Sequence, residues 1–300
     1  MKKTALLILS ILFTISGLYS MASEEVTVGG KTFIFYKKDL LHYSGSYTDK
    51  IWRGNLAKDT TVNIGVNTIT FKKNSELAFY ASGEIGSGYP AVDTELKIGN
   101  NKIKARAGKR ILFFKPGNIQ ELYLAGDTVF TIGQNTVTFK KGVKEIEMMQ
   151  FFENGEIRRG YLNKQAVCKA GKYSFTLFNV LIFYKNGSVE AGHLHKNTVF
   201  KVKNDDIIFI GSEYHMVEFH KNGAVHQGYI HESKTINIDG NNVKFQYRIY
   251  FNENGTVKMG VLAESLAIMN KKFEAHNTLT FKYDNRGKLI RIEKYRYPQR

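Results

Sequence analysis

The sequence has little cysteine and little proline: one cysteine, Cys168, and three prolines among 300 residues. A single thiol excludes an intrachain disulfide, so side-chain packing must stabilise the fold. No cysteine lies near the predicted amino-terminal cleavage site, which argues against a bacterial lipid anchor. No stretch beyond residue 22 is apolar enough to span a membrane as a helix, so the mature chain is expected to have no integral span.

Signatures of the common enzyme classes are also missing. The sequence has no G-x-S-x-G nucleophile elbow, no phosphate-binding P-loop and no dinucleotide fingerprint. Cys168 has no motif context for a nucleophile, and nothing marks Glu145 and Glu147 as an acid–base pair. We therefore predict that the protein is not an enzyme and binds no cofactor.

The amino terminus is typical of an exported protein. Two lysines precede the apolar segment 5–18, and Ala22 completes a small-x-small cleavage site. This pattern predicts a signal peptide over residues 1–22 and a mature chain of residues 23–300. The mature protein would then be periplasmic, cell-surface or extracellular.

What is present is glycine, aromatic side chains and positive charge. The 27 glycines, 17 tyrosines and 21 phenylalanines are typical of a β-rich globular protein. The formal net charge of +16 favours acidic partners, such as anionic envelope polymers or lipid head groups. The basic residues are scattered through the whole chain, so nucleic acid is not expected, and the charge is also compatible with a basic protein that needs no acidic partner.

One motif recurs along nearly the whole mature chain. Its clearest copy is Phe183 to Leu194, which reads F-x-x-N-G-x-V-x-x-G-x-L. A fixed period of roughly 34 residues is the mark of a repeat architecture. Eight units follow if Asp49 is taken as the turn residue of the first, and the turn glycines of the other seven are Gly83, Gly117, Gly155, Gly187, Gly223, Gly255 and Gly287.

The spacing of apolar residues predicts the type of hairpin in each motif. Phe183 and Val189 face each other only if residues 185–187 form a three-residue loop, which is a type I turn followed by a glycine bulge. Gly187 then takes a left-handed conformation. The step from Val189 to Leu194 breaks the period of two, so we interpret Gly192 as a bulge or a close backbone approach.

Each unit also carries a second hairpin, with alternating apolar and polar residues such as Ile236–Ile238 and Val243–Phe245. We predict four-residue loops for these hairpins from the second unit on. A small polar pair such as Asp59-Thr60 precedes each hairpin and is expected to bond the local backbone. The fold prediction is therefore all-β: about eight tandem units of antiparallel hairpins in one domain over 23–300. They form an extended twisted or solenoid-like sheet, with a β-propeller as the alternative.

The pattern F-x-x-N-G-x-[IV]-x-x-G-x-L resembles MORN-type repeats, particularly the variant of bacterial secreted and toxin–antitoxin-associated proteins. It is also similar to tandem repeats of bacterial envelope proteins. The resemblance covers residues 24–292, and the chain departs from it by inserting the second hairpin. It implies scaffolding, protein binding or lipid binding, and it supplies no catalytic residues.

Two groups of side chains are candidate sites. Four aromatic residues lie three positions before a turn glycine, opposite the apolar face by strand parity, where they could stack on sugars or bases; they are Tyr80, Phe114, Phe152 and Tyr184. Six of the eight histidines fall between residues 193 and 231, and His193, His195 and His231 are the candidate metal ligands among them. The alternatives are a partly buried aromatic face and a polar surface in which Tyr and His exchange.

Three functional hypotheses follow. The first is an exported, non-catalytic repeat protein that acts as an interaction or structural module of a bacterial envelope, with a protein or an anionic envelope polymer as its partner. The second is a binder of anionic polymers: glycan, lipid head group or nucleic acid. The third is a metal-dependent enzyme centred on the histidines between residues 193 and 231. The sequence makes no prediction of oligomeric state.

Overall fold

A computed structural model describes residues 22–43, 50–115 and 117–296. Of the predicted signal peptide, residues 1–21 lie outside the described residues, as does Asp49, the predicted turn residue of the first unit. Within the described ranges the chain forms β-strands, one short 3-10 turn at Lys37–Asp39 and no α-helix. No helix of the described chain has the length and hydropathy needed to cross a membrane.

The first half of the chain contributes fourteen strands. In chain order they are β1 (Ser23–Val28), β2 (Lys31–Tyr36), β3 (Leu41–His42), β4 (Ile51–Asn55), β5 (Thr60–Ile64), β6 (Asn67–Phe71), β7 (Glu76–Phe79), β8 (Ile85–Gly88), β9 (Thr94–Ile98), β10 (Asn101–Ala105), β11 (Ile111–Phe113), β12 (Ile119–Leu122), β13 (Thr128–Ile132) and β14 (Asn135–Phe139).

The second half continues in the same manner. Its strands are β15 (Met149–Phe151), β16 (Ile157–Tyr161), β17 (Ala166–Ala170), β18 (Tyr173–Phe183), β19 (Val189–Leu194), β20 (Thr198–Val202), β21 (Asp205–Phe209), β22 (Met216–Phe219), β23 (Val225–Tyr229), β24 (Lys234–Ile238), β25 (Asn241–Phe251), β26 (Val257–Leu262), β27 (Leu266–Ile268), β28 (Lys271–Phe273), β29 (Thr278–Tyr283) and β30 (Leu289–Lys294).

The described chain divides into two compact units. The first comprises the described residues up to Lys97 together with Ala105–Ile119, and the second comprises Ile98–Lys104 together with the described residues from Gln120 on. In each unit the paired strands of the main hairpins form antiparallel ladders, which we call the main sheet of that unit. The single continuous domain expected over residues 23–300 stays a prediction.

In the first unit the main sheet has the order β3-β4-β7-β8-β11. In the second unit one unbroken sheet has the order β12-β15-β16-β18-β19-β22-β23-β25-β26-β29-β30. The prediction of an all-β chain of antiparallel hairpin repeats is confirmed. The β-propeller alternative is wrong for the second unit, because a propeller interrupts the hydrogen-bonded ladder at every blade and this ladder passes from repeat to repeat.

The main hairpins that contain a turn glycine close with three-residue loops. In the repeat around Gly187, the N–H of Tyr184 donates to the carbonyl of Ser188, and the N–H of Gly187 donates to the carbonyl of Tyr184, both at 2.9 Å. This is a type I turn followed by a residue in the left-handed region. The seven turn glycines all have φ between 77° and 96°, a range that costs glycine no steric energy.

The break in strand period comes from a bulge before the second glycine. Ile182 pairs with Ala191 and Phe183 pairs with Val189, so Glu190 is the extra residue. Gly192 pairs with Leu181, and a second irregularity follows it, because the partner of His193 is Phe178. The bulge at Glu190 lies two residues before Gly192. It places the side chains of both Glu190 and Ala191 on the face opposite the core.

The second glycine of the motif makes room for an apolar side chain of the side hairpin. A Cβ built on Gly192 would lie 2.7 Å from Leu177 Cδ1. In four other repeats the glycine meets a phenylalanine ring at 2.5–2.6 Å, in the pairs Gly88 with Phe71, Gly160 with Phe139, Gly228 with Phe209 and Gly260 with Phe245. The repeat with Leu122 in place of this glycine has Ala105 in place of the ring, so a large and a small residue exchange positions along the sequence.

The side hairpins differ from the prediction in their loops. Ile238 pairs with Asn241, which leaves a two-residue turn of Asp239 and Gly240, both with positive φ. The prediction of a four-residue loop there is wrong, because the polar residues Asn241 and Asn242 pair with Ile238 and Asn237 and so belong to the strand. In the strands β18 and β25 the second half of the side hairpin runs straight into the main sheet, which gives both strands eleven residues.

The core lies between the inner face of each main sheet and its side hairpins. Phe175 of a side hairpin stacks on Phe219 of the main sheet with centroids 4.8 Å apart, and Phe33 meets Phe79 edge-on at 5.3 Å in the first unit. Full burial of one phenylalanine contributes about 1.5–3 kcal/mol. The fully buried rings are Phe33, Phe35, Phe71, Phe113, Phe139, Phe151, Phe183, Phe200, Phe209, Phe219, Phe245 and Phe251.

Side-hairpin turns also contact main-hairpin turns within each unit. A Cβ on Gly223 would lie 2.2 Å from the backbone nitrogen of Gly171, and a Cβ on Gly187 would lie 3.0 Å from that of Gly133. The first unit has the same contact between Gly29 and Gly83. The turn glycines of these repeats therefore meet two demands, a left-handed backbone and close contact with another turn.

Candidate binding face

The main sheet of the second unit has a face opposite the core that carries three rows of side chains; we call it the outer face. The first row lies three residues before each turn glycine, and the third lies six residues after it. The middle row is set by cross-strand pairing. The outer face is defined by Phe152, Tyr184 and His220 in the first row, Gln150, Arg159, Ile182, Ala191, Glu218, Gln227 and Tyr250 in the middle row, Tyr161, His193 and Tyr229 in the third row, and Arg248, which pairs with Tyr229.

Two of the three rings in the first row are hydrogen-bonded to the neighbouring hairpin. Tyr184 Oη donates to the carbonyl of Phe219 at 2.8 Å, and His220 Nε2 lies 2.9 Å from the carbonyl oxygen of Phe251. Each of these acceptors is in the next repeat, so the side chain reaches sideways across the sheet. Phe152, Tyr184 and His220 are half-buried. Tyr184 and His220 are therefore restrained rings, and all three residues of the row are partly exposed.

The first unit has the same arrangement. Tyr80 Oη donates to the carbonyl of Phe113 at 2.5 Å, and Tyr43 Oη donates to that of Phe79 at the same distance. Phe114, like Tyr80, is half-buried. The four aromatic residues singled out in the sequence thus lie in equivalent places, two in each unit.

Two arginines of the outer face lie against tyrosine rings. Arg159 Nη2 donates to Tyr161 Oη at 2.6 Å, and its guanidinium lies 5.2 Å from the Tyr161 ring centroid. The Arg248 guanidinium lies 5.4 Å from the Tyr229 centroid and 5.0 Å from that of Tyr250. These are cation–π distances. The Nε atoms of Arg159 and Arg248 are buried and have no hydrogen-bond partner in the described chain.

A carboxylate and an amide lie beside Arg248. Glu218 Oε1 is 3.4 Å from Arg248 Nη2, and Glu218 Oε2 is 3.6 Å from His226 Nδ1. A hydrogen bond from His226 lowers the pKa of Glu218, burial opposes this, and Gln227 and Arg248 lower the pKa further. The Gln227 side chain is 6% exposed, and its Oε1 has no partner in the described chain. The face therefore offers unused donors and an unused acceptor, with nearly balanced charge.

His193 is buried in the third row at 7% exposure, and its Nδ1 has no partner within the described residues. Burial lowers its pKa; Arg159 and His215 lower the pKa further and Glu213 opposes them. The imidazole is thus neutral at neutral pH, when either ring nitrogen can accept or donate according to the tautomer.

The predicted three-histidine metal site is not assembled. His193 is buried on the outer face, whereas the side chains of His195 and His231 are exposed; the backbone N–H groups of these two residues donate to the carbonyls of Thr176 and Ile208 in side hairpins. Nowhere in the described chain do three metal-ligating side chains of the His, Cys, Asp and Glu types gather. His195 and His231 share a motif position, but the main sheet separates equivalent positions of adjacent repeats by two strands.

Sequence reasoning missed the polar middle row. Arg159 and Gln227 each lie four residues after a turn glycine, where the motif specifies no residue type. A bulge at the preceding position shifts the strand parity, so simple alternation from Ile157 or Val225 does not place these residues on the outer face. The recurring Tyr or His six residues after the glycine was the available signal, because it showed an aromatic row next to them.

No family model matches the chain, and no curated protein matches it. One solved structure to which it is similar is that of the modular autolysin LytC from Streptococcus pneumoniae in complex with a synthetic peptidoglycan ligand. The identity is 13% and the TM-score 0.12, with 83% of this chain and 52% of that chain covered. The chain thus spans about half the length of that structure, and at this TM-score the likeness carries no argument about fold or function.

Proposed function

We propose that the protein is an exported, non-catalytic interaction module of a bacterial envelope and that its outer face is the binding surface. The observation that carries this proposal is the set of buried hydrogen-bonding atoms without partners on that face: the Nε atoms of Arg159 and Arg248, Gln227 Oε1 and His193 Nδ1. A buried polar group without a partner costs about 1–3 kcal/mol. A partner that satisfies these atoms would recover part of that cost on binding.

The chemistry of the described residues supports recognition rather than catalysis. Burial raises the pKa of Cys168 to about 12, so its thiol is neutral and inert. Glu147 accepts hydrogen bonds from the backbone N–H groups of Val143 and Lys144 at 2.9 Å and an ion pair from Lys140 at 2.9 Å. Both side chains therefore have structural roles that leave them unavailable for catalysis. The proposed export rests on the signal-like sequence of residues 1–22.

The test is binding by the mature chain, residues 23–300, to a panel of immobilised envelope glycans, anionic lipid vesicles and polyphosphate at two salt concentrations. Arg248→Ala removes an outer-face guanidinium, whereas Val199→Ser changes an exposed side chain of a side hairpin and serves as the control. We expect Arg248→Ala to weaken binding and Val199→Ser to leave it unchanged. Equal binding by the wild type and Arg248→Ala would place the interaction elsewhere.

A second candidate function is binding of anionic polymers through lysines away from the outer face. Lys172 and Lys203 line a cavity of about 380 Å³ in the second unit, beside the turns at 222–225 and 253–255. Neutralising phosphates with lysines makes affinity fall steeply with salt. A steep salt dependence that is reduced by Lys172→Ala with Lys203→Ala, and not by Arg248→Ala, would favour this candidate over the outer face.

A further inference from the structure

The middle row of the outer face runs across the strands and not along them. Pairing places Arg159 opposite Ile182, Ile182 opposite Ala191, and Ala191 opposite Glu218. Neighbouring strands are about 4.8 Å apart, so two strands per repeat give a period of about 10 Å. This period is comparable with the length of one disaccharide unit in an extended β-linked glycan, so successive disaccharides of such a chain could contact successive repeats.

The ring row gives this path a stacking platform. Phe152 and Tyr184 lie in equivalent positions of adjacent repeats, and the hydrogen bond from Tyr184 to Phe219 restrains its ring sideways across the sheet. A restrained ring loses little rotamer freedom when a ligand binds. Sugar rings present flat C–H faces, which pack on aromatic faces as other apolar groups do.

The polar atoms beside the rings fit hydroxyl groups. Arg159 Nε and Arg248 Nε are donors, and Gln227 Oε1 is an acceptor. A hydroxyl both donates and accepts, so one kind of ligand group can satisfy both kinds of atom. A phosphate or sulfate ester can only accept from these donors and gains nothing from Gln227 Oε1.

Charge selects between an uncharged glycan and a polyanion. Glu218 lies in the same row and pairs with Arg248 at 3.4 Å, and Glu190 occupies the bulge next to Ala191. Burial raises the pKa of Glu190, Arg158 opposes this, and Glu218 raises the pKa further, as expected for two carboxylates on one surface. The carboxylates of Glu218 and Glu190 offset the charges of Arg159 and Arg248, so a polyanion would gain little net attraction from this face, whereas a neutral chain needs none.

From these observations we infer that the outer face binds an extended, uncharged β-linked glycan laid across the strands. Its sugar rings stack on Phe152 and Tyr184, and its hydroxyls bond Arg159, Gln227 and Arg248. The inference rests on the proposed function, because it names the ligand class of the same face.

The experiment is calorimetric titration of residues 23–300 with chitohexaose, with cellohexaose and with polyphosphate, each at low and high salt. We expect a hexasaccharide to bind with little dependence on salt. Tyr184→Ala should weaken binding at least about tenfold, which corresponds to 1.4 kcal/mol, whereas Tyr184→Phe keeps the ring and should bind within about twofold of the wild type. Val199→Ser is the matched control and should bind as the wild type does.

If Tyr184→Ala fails to fold by circular dichroism, Gln227→Leu replaces it, since leucine keeps the approximate shape and removes the acceptor. Hexasaccharide binding that neither variant weakens would overturn the inference. The inference would also be overturned if the protein bound neither hexasaccharide but bound polyphosphate, and Arg248→Ala abolished that binding. In that case the outer face would remain the binding surface. If no outer-face variant changes the binding of any ligand in the panel, the proposed function is overturned as well.

Discussion

Two glycines of the second unit allow the energetic cost of the left-handed backbone to be measured separately from that of the close contact with another turn. Gly223 and Gly240 have nearly the same backbone conformation, with φ of 82° and 85°. A Cβ on Gly240 meets nothing within 4 Å, whereas one on Gly223 lies 2.2 Å from Gly171 N and 2.5 Å from Gly171 Cα. Substitution by alanine therefore adds the same conformational strain at both sites and a backbone clash at Gly223 alone.

The magnitudes follow from these two contributions. A left-handed conformation costs an L-residue about 1–2 kcal/mol, which is the full cost expected for Gly240→Ala. The atoms that Gly223→Ala would meet belong to backbone, so no flexible side-chain end can move away. Displacing them adds about 1–3 kcal/mol, as for other overpacked sites. We expect Gly223→Ala to destabilise the protein by about 2–5 kcal/mol in total.

Urea unfolding followed by far-ultraviolet circular dichroism measures both variants in one buffer. The midpoint should fall further for Gly223→Ala than for Gly240→Ala, with the slope unchanged. The difference in unfolding free energy between them is the contribution of the close contact with Gly171. Losses for the two variants that agree within about 0.5 kcal/mol, the usual scatter of surface substitutions, would refute the contact as a source of stability.

Three further predictions concern single side chains of the second unit. Burial raises the pKa of Glu147, but Lys140 and two backbone N–H donors outweigh it and hold the pKa at about 2. The stabilisation from this carboxylate is complete above its ordinary pKa of 4.5 and lost as the pH falls to about 2. Glu147→Gln should therefore flatten acid unfolding in that range, and an unchanged profile would contradict this role. Because burial raises the pKa of Cys168 to about 12, a thiol reagent at mildly alkaline pH should label it only after denaturation; labelling of the folded protein would show that the thiol is accessible. Asp127 accepts from the backbone N–H of Lys141 at 2.7 Å, so Asp127→Ala should cost about 0.5–1.5 kcal/mol in urea unfolding. Asp127→Asn should cost less, because an asparagine makes the same bond in another repeat, and equal losses would exclude the hydrogen bond as the cause.

The hairpin geometry was predictable because it depends on local spacing. Phe183 and Val189 are separated by a distance along the chain that suits only one common turn, and the loop between them requires a left-handed residue where Gly187 lies. Asp127 and its equivalents were also interpreted correctly as turn residues. Their bonds reach further than expected, since each side chain accepts from a backbone N–H fourteen residues later, at the other end of the side hairpin.

What could not be predicted depends on contacts distant in sequence. The closeness of Gly171 to Gly223 leaves no trace in the spacing of either hairpin. The two-residue turn at Asp239 and Gly240 was missed because the ladder continues through exposed polar residues, which the alternation of apolar residues does not register. The outer-face positions of Arg159 and Gln227 were not predicted, because a bulge reverses the parity of the strand just before each of them.

The two glycines of each motif explain where binding specificity can lie. The turn glycine is fixed by its conformation and, in four repeats, by a neighbouring turn as well, whereas the second glycine is fixed by the apolar side chain beneath it. The position between them, four residues after the turn glycine, faces away from the core and contacts neither. In successive repeats it holds Arg159, Ala191, Gln227 and Met259, whereas the next residue is glycine in all four. The repeat pattern thus marks what the fold needs, and the residues that choose a ligand are expected where the pattern leaves the side chain free.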